Sequence, residues 1–329
     1  MYGVPSSDAA VIQVDALTRT FEVKAETVEA VRGLSFEVQA GELVAFLGPN
    51  GAGKSTTVRM LTTLLPPSSG RARVGGHDVV REPEQVRQRI GYVGQGTGAG
   101  PFHTVRDELV TQGLAQRMSK AAALRRADEL IEMLELDGLA KRLASTLSGG
   151  QRRRLDVALG LVHAPPVLFL DEPSTGLDPH SRANLWEHIL ALRRATGMTI
   201  FLTTHYLEEA DAMAERVMII DHGVLIANDT PERLKSEHAG DRIRIEVADA
   251  DSVGRAAEVA EQLPSARALE RGERSVAITV REGNRLLPEL IQALQRNAIE
   301  VAGASVRRPT LDDVFLDLTG RSLREGVAA

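Results

Sequence analysis

The chain contains no cysteine. Disulfide frameworks and thiolate-bound zinc or iron–sulfur centres are therefore excluded, and the composition suits a reducing compartment. No uninterrupted apolar run approaches the ~20 residues that cross a bilayer as a helix, so any membrane role is expected to be peripheral. The opening residues, MYGVPSSDAAVIQV, lack the charged segment and following apolar run of a secretory signal. An excess of positive charge is missing too: 39 Lys and Arg stand against 45 Asp and Glu, a formal charge of -6. That balance gives no support to a protein that wraps nucleic acid on a basic face, and no nucleic-acid partner is expected. Internal repeats and low-complexity tracts are absent. Lysine is scarce beside arginine while alanine and glycine abound, which reads as coding bias.

What is present fits a soluble globular chain. Its 329 residues, 43% hydrophobic and 26% charged, allow one large domain and one smaller one. VIQVDAL and VRGLSFEV, within 11–38, alternate as edge strands do. ELVAFLG at 42–48 is an apolar strand ending in Gly-Pro-Asn-Gly, and KSTTVRMLTTLL from 54 reads as a helix. From about 105 the pattern is helical for some fifty residues. There Leu124, Ala127, Leu130, Ile131 and Leu134 recur at helical spacing. PPVLFLDEP, TIFLTTH and RVMIIDHGVLI then carry the signature of buried strands. Beyond about 240, RIRIEV, a helix near 252–263, SVAITV, LLPELIQAL and EVAGASVRRP follow a β-α-β-β-α-β order, that of a small ferredoxin-like domain. LDDVFLDL closes it as a helix with Leu311, Val314, Phe315 and Leu318 on one packed face.

Gly48-Pro49-Asn50-Gly51-Ala52-Gly53-Lys54-Ser55-Thr56 fits the phosphate-loop pattern G-x-x-x-x-G-K-S/T, between strand and helix as the mechanism requires. The glycines let the backbone amides turn inward, and the helix N-terminus adds its positive end. Lys54 is placed to reach the β- and γ-phosphates of ATP, and Ser55 to put its hydroxyl on Mg2+. Further along, Leu147-Ser148-Gly149-Gly150-Gln151 precedes a helix-patterned run. By itself a Ser-Gly-Gly turn is an ordinary helix cap; beside a phosphate loop it makes a second anion site. Val167–Leu170 lead into Asp171 and Glu172. Two acids at a strand end are solvated turn residues unless a phosphate site is near. With one near, Asp171 supports the metal ion and Glu172 takes a proton from water.

Together these motifs resemble the ATP-binding-cassette (ABC) family over residues 11 to about 235. The resemblance implies roles for residues that are unremarkable alone. Gln95, in YVGQ, is similar to the family's glutamine loop, a magnesium ligand that senses the membrane partner. Asp178, in STGLDP, resembles the loop that contacts the second subunit. His205, ending TIFLTTH, resembles the switch histidine at the γ-phosphate. Phe21, in TRTFEV, is similar in position to the aromatic that stacks on adenine, although a Phe near a strand is also ordinary core. LSGGQRRRLDVALGLV, DEPSTGLDP, TTHYLEEAD and TLDDVFLDLTG look closest to the daunorubicin-resistance type of exporter ATPase, whose members carry an added C-terminal domain. Two departures stand out. Gly94 replaces the proline common before the loop glutamine, and the GTGAGP that follows is rich in glycine, which is expected to loosen the segment.

The expected fold class is α/β: a P-loop ATPase core with an antiparallel β subdomain and a helical insertion, plus the ferredoxin-like α+β domain. The expected divisions are a cassette at 1–238 with its helical part at about 96–160, an accessory domain at 239–320, and a tail at 321–329. The resemblance further implies a homodimer that sandwiches two ATP molecules, with Glu172 as base, Lys54 and His205 on γ-phosphate charge, and Mg2+ at Ser55, Gln95 and Asp171. Separate integral membrane permease subunits would complete an exporter, with this chain peripheral on the cytoplasmic face of the cell membrane. Its cargo would be a hydrophobic drug or antibiotic, with lipid or polysaccharide as the alternative. A soluble cassette protein of DNA maintenance or translation would need a long coiled coil or a second cassette. A regulator without turnover would lack Glu172 or His205.

Overall fold

The computed structural model describes residues 10–23 and 26–320. The expected tail at 321–329 lies outside the described residues. Two compact units divide the chain: one takes it up to Tyr206 together with Met213–Asn228, the other takes Leu207–Ala212 and everything from Asp229 on.

In the first unit, β1 (Ala10–Val23) and β2 (Glu26–Gln39) pair antiparallel. In β2, Val31, Leu34, Phe36 and Val38 are buried between exposed neighbours, a one-sided pattern that fixes register. Next come β3 (Leu43–Leu47), α1 (Lys54–Leu61), β4 (Ser69–Val74), β5 (His77–Asp78), α2 (Pro83–Arg89) and β6 (Ile90–Val93). Three helices follow: α3 (Val105–Ala115), α4 (Lys120–Met133) and α5 (Gly149–Leu161). Then come β7 (Val167–Asp171), α6 (Pro179–Thr196), β8 (Thr199–Thr204), α7 (Leu207–Met213), β9 (Arg216–Asp221) and β10 (Val224–Asp229). A four-stranded sheet runs β2-β1-β4-β5, and a six-stranded sheet runs β10-β9-β3-β8-β7-β6. β6, β7, β8, β3 and β9 are parallel neighbours. Every residue of β3, β7 and β8 is buried, as strands covered on both faces require. Phe36, Phe46, Phe169 and Phe201 meet with ring centroids 5.5 to 6.1 Å apart, joining β2 to three strands of the parallel sheet. The registers Leu47↔Thr204 and Asp171↔Thr203 bring the carboxyl ends of β3, β7 and β8 to one edge. Open α/β sheets bind ligands at that edge.

The second unit begins with α8 (Pro231–Leu234) and a π-helical turn at Lys235–Ala239, then β11 (Asp241–Val247), α9 (Val253–Glu261), β12 (Arg267–Arg271), β13 (Ser275–Val280), α10 (Gly283–Arg296), β14 (Val301–Arg307) and α11 (Leu311–Thr319). The antiparallel sheet has the order β12-β13-β11-β14, which is the ferredoxin-like arrangement. Ile243, Ile245, Val276 and Ile278 pack with Ala257 of α9 and Leu286, Leu290 and Leu294 of α10. Thr310 and Asp313 form a reciprocal capping box that starts α11.

Several expectations are corrected. β1 is a central strand of its sheet rather than an edge. α1 stops at Leu61 instead of running to Leu65, because Thr63 takes a left-handed φ of 62° and Pro66 and Pro67 follow. The buried stripe of α4 contains Ala123, with Leu124 only half-buried. RVMIIDHGVLI is two strands meeting at the left-handed pair His222-Gly223, and β10 is not a buried strand. Leu318 is likewise only half-buried beside Leu311, Val314 and Phe315. The unit boundary falls at 229, ten residues before the expected 239. Lys235 pairs with Asp211 at 2.5 Å, and His238 lies 3.5 Å from Asp317, so α8 and the turn after it belong with the second unit.

Candidate active site

The loop between β3 and α1 is shaped where only glycine fits. A Cβ on Gly48 would lie 2.3 Å from the Ile220 carbonyl oxygen, and one on Gly53, at φ +105°, would lie 2.4 Å from that of Ala30. Pro49, Asn50, Gly51 and Ala52 form the crest, where the Ala52 amide donates to the Pro49 carbonyl at 3.1 Å. Lys54 opens α1 and turns back under the loop, its Nζ donating to the carbonyls of Gly48 at 2.7 Å and Pro49 at 3.0 Å. Burial holds its pKa below the ordinary lysine value, against the opposing pull of Glu172 and Asp171. Ser55 and Thr56 occupy the first turn of α1, where the helix presents its positive end.

Ser55 is the meeting point. Its Oγ donates to Asp171 Oδ1 at 3.1 Å and accepts from Gln95 Nε2 at 3.2 Å. The Asp171↔Thr203 register sets a buried hydroxyl against the same carboxylate oxygen, with Thr203 Oγ1 donating at 2.5 Å. A hydroxyl, a carboxylate and a side-chain amide have thus converged from α1, β7 and the loop after β6. Hard oxygen donors of this kind suit Mg2+, once the Gln95 amide presents its oxygen rather than its nitrogen.

Glu172, the next residue, is held in a left-handed conformation with φ 50°. For a non-glycine residue that costs about 1–3 kcal/mol, and the surroundings over-determine it. Its amide donates to the Thr203 carbonyl at 3.0 Å and the Thr203 hydroxyl at 3.1 Å. Its carboxylate accepts from the Thr175 hydroxyl at 3.3 Å and lies 3.4 Å from His205 Nδ1. The His205 contact is the chief reason its pKa sits below the ordinary carboxylate value; burial opposes this, and Lys54 and Thr175 add to it. The contact thus favours the ionised form of Glu172, the form whose oxygens can take a proton.

The other expected residues lie apart from this cluster. Ser148 caps α5 with a full capping box to Gln151, and Ser148 and Gly149 are exposed. A Cβ on Gly150 would come within 2.7 Å of Ser181 Oγ, and both carboxylate oxygens of Asp178 are bonded to Ser181, at 2.9 and 2.6 Å. Asp178 thus caps α6 beside the start of α5. Phe21, on β1, has the Arg19 guanidinium 4.6 Å from its ring centroid and does not join the contacts around Ser55. The glycine-rich segment is tied down rather than loose. The amides of Gly98 and Ala99 donate to Asp156 at 2.8 and 3.4 Å, and that of Gly100 donates to Glu108 at 3.1 Å. Sequence reasoning passed over Thr175, Thr203, Arg153 and Asp156. Only the RRRLD after the glycines, charged where a buried helix begins, carried a signal for the last two.

Comparison with known proteins identifies the family of the chain. The ABC transporter family model matches residues 31–175, and the model of the DrrA1-3-like ATP-binding protein C-terminal domain matches residues 230–319. The chain is 43% identical to the daunorubicin resistance ATP-binding protein DrrA3 of Streptomyces coeruleorubidus, over 92% of this chain and 94% of that one. The chain belongs to the ABC transporter ATP-binding family. It is also 46% identical to the daunorubicin/doxorubicin resistance ATP-binding protein DrrA of Streptomyces peucetius, over 88% of each chain. Among solved structures, a dimeric post-hydrolysis state of the ATP-binding cassette MJ0796 bound to ADP and Pi superposes with a TM-score of 0.62 at 25% identity. That match covers 67% of this chain and 98% of the cassette. As a member of this family the chain is an ATP-hydrolysing subunit, and cassettes of its kind form dimers and work with membrane subunits.

Proposed function

We propose that this chain drives export of a hydrophobic drug or antibiotic, acting as a homodimer on the cytoplasmic face of the cell membrane with separate integral membrane permease subunits. The observation that carries the chemistry is the Glu172 carboxylate, fixed just past the end of β7 and 3.4 Å from His205. The likeness over nearly the whole chain, accessory domain included, to drug-resistance proteins supports the cargo class.

Ser55, Asp171 and Gln95 would hold Mg2+, which would supply neutralisation of phosphate charge. The loop amides and Lys54 bind the phosphates of ATP. Lys54 then exchanges its two loop carbonyls for phosphate oxygens, a charge-assisted contact. Glu172 accepts the proton of the attacking water, and His205 steadies the γ-phosphate while holding Glu172 in its ionised form. Ser148 to Gln151 at the start of α5, with Ser148 and Gly149 exposed, grip the γ-phosphate bound by the second copy, and Asp178 lies alongside that contact. Closure therefore depends on the γ-phosphate, and its hydrolysis reopens the pair.

The test is transport. Inverted vesicles carrying this chain and its membrane subunit should accumulate doxorubicin when given ATP and magnesium, and vesicles with Glu172→Gln should not. ATP-independent uptake, or equal uptake with the mutant, would remove the proposal.

A further inference from the structure

Two buried charges on α5 have no part in the phosphate chemistry above. Arg153 is 7% exposed and Asp156 is 5% exposed. The Arg153 guanidinium donates to the carbonyls of Pro173 at 2.6 Å and Gly94 at 2.7 Å, and to those of Asp171 and Glu172 at 3.4 Å each. Asp156 lies 3.9 Å from Arg153 and takes the amides of Gly98 and Ala99 on the far side of Gln95. Between them, the pair grasps the backbone on both sides of Gln95 and along the three residues that carry the metal-binding acid and the base.

Burying an ion pair is seldom the cheapest way to fill a core, since an apolar pair of similar size is often as stable. What this pair provides is direction. A planar guanidinium presents donors in a fixed fork that can bridge carbonyls of separate segments, which an apolar side chain cannot do and an ammonium does poorly. The departures from the family pattern at Gly94 and 96–100 fall on the segment so held. Its glycines leave the backbone undecided, and Arg153 and Asp156 decide it.

The same helix begins at Ser148–Gly150, three to five residues before Arg153, and rises only about 1.5 Å per residue as a stiff rod. We propose that Arg153 and Asp156 are positioning residues that lock Gln95 and Glu172 to α5, so that a phosphate gripped at the helix start aligns the base and metal ligand of the same chain. The transmission rests on the sandwich dimer put forward above, in which that phosphate belongs to the partner's ATP. Each site then tunes the other through one helix, and turnover is cooperative in ATP.

The experiment measures steady-state ATP hydrolysis against ATP concentration for wild type, Arg153→Gln, Arg153→Lys and Asp156→Ala. Each is run at a temperature where Trp186 fluorescence shows it folded. Nucleotide affinity is measured separately by calorimetry. Loss of residues that orient a metal or its ligands typically costs about 10–100-fold, so kcat in Arg153→Gln and Asp156→Ala should fall by that order. Nucleotide affinity should stay within about two-fold, because the loop and Lys54 are untouched. The Hill coefficient should fall toward one. Arg153→Lys, which keeps the charge and folds most readily, should lose part of kcat and most of the cooperativity. Dimer formation by Glu172→Gln with ATP, followed by size-exclusion chromatography, separates the two ideas. A Glu172→Gln protein that stays monomeric sinks the sandwich reading and the transmission with it. A Glu172→Gln dimer, together with wild-type kcat and Hill coefficient in Arg153→Lys and Asp156→Ala, sinks the positioning role alone.

Discussion

Replacing Thr203 with valine keeps the shape of a fully buried side chain and deletes one hydroxyl. That hydroxyl donates to Asp171 at 2.5 Å and accepts from the Glu172 amide at 3.1 Å. The Glu172 amide retains the Thr203 carbonyl at 3.0 Å, so its loss is small. Asp171, only 1% exposed, keeps the Ser55 hydroxyl at 3.1 Å. The net loss is one hydrogen bond to a buried carboxylate, worth about 1.5–3 kcal/mol. For a unit of this size each kcal/mol moves Tm by about 2–4 °C, so Thr203→Val should melt roughly 3–12 °C lower. Trp186, the single tryptophan of the chain, is buried in α6 of the first unit, so its fluorescence follows that unit through the transition. The magnesium concentration for half-maximal turnover should rise as well, because Asp171 is less firmly aimed. A valine variant melting within about 1 °C of wild type with an unchanged magnesium requirement would show that the Thr203 hydroxyl does not hold Asp171, since a lost buried bond of this kind cannot be that cheap.

Lys54→Ala should abolish tight ATP binding by removing the cation beneath the loop; near-normal affinity in calorimetry would mean that the site is elsewhere. His205→Ala should move the acid limb of kcat/KM to higher pH. That limb reports the free enzyme, whose base works deprotonated, and the mutation removes the chief group holding the Glu172 pKa below its ordinary value. A limb that stays in place while the plateau falls would separate His205 from the base. Deleting 240–329 should leave a cassette that binds ATP, because every nucleotide-site residue precedes 206; circular dichroism with nucleotide titration checks it, and a folded but non-binding cassette would contradict it.

The parts legible in the sequence were those where chemistry dictates residue type within one short string. Gly48 to Thr56 could be read because a backbone that must cradle phosphates admits few residues, and the apolar run into Asp171-Glu172 because a buried strand rarely ends in two acids. The ferredoxin-like order was readable from RIRIEV and SVAITV, whose alternation reflects a sheet covered on one face. Thr203 was not readable. Its importance comes from the register of β8 against β7, and a threonine in a strand is otherwise ordinary. Arg153 and Asp156 are hidden likewise, because the carbonyls and amides they hold come from segments 18 to 59 residues away and belong to backbone that any sequence would have. The boundary at 229 was missed because Lys235 and His238 find their partners, Asp211 and Asp317, on other elements of the second unit.

If Glu172 is the base of a site completed by a second copy of the chain, one size-exclusion experiment with magnesium and ATP will show it. Glu172→Gln retains size and most hydrogen bonding but cannot take the water's proton, so turnover should fall by about 10²–10⁴-fold while ATP stays bound. The mutant should then elute as an ATP-bound dimer, and adding Ser148→Arg, which puts a bulky cation where the exposed hydroxyl caps α5, should return it to monomer. A Glu172→Gln protein that hydrolyses ATP at the wild-type rate, or that binds ATP and never dimerises, would contradict the account.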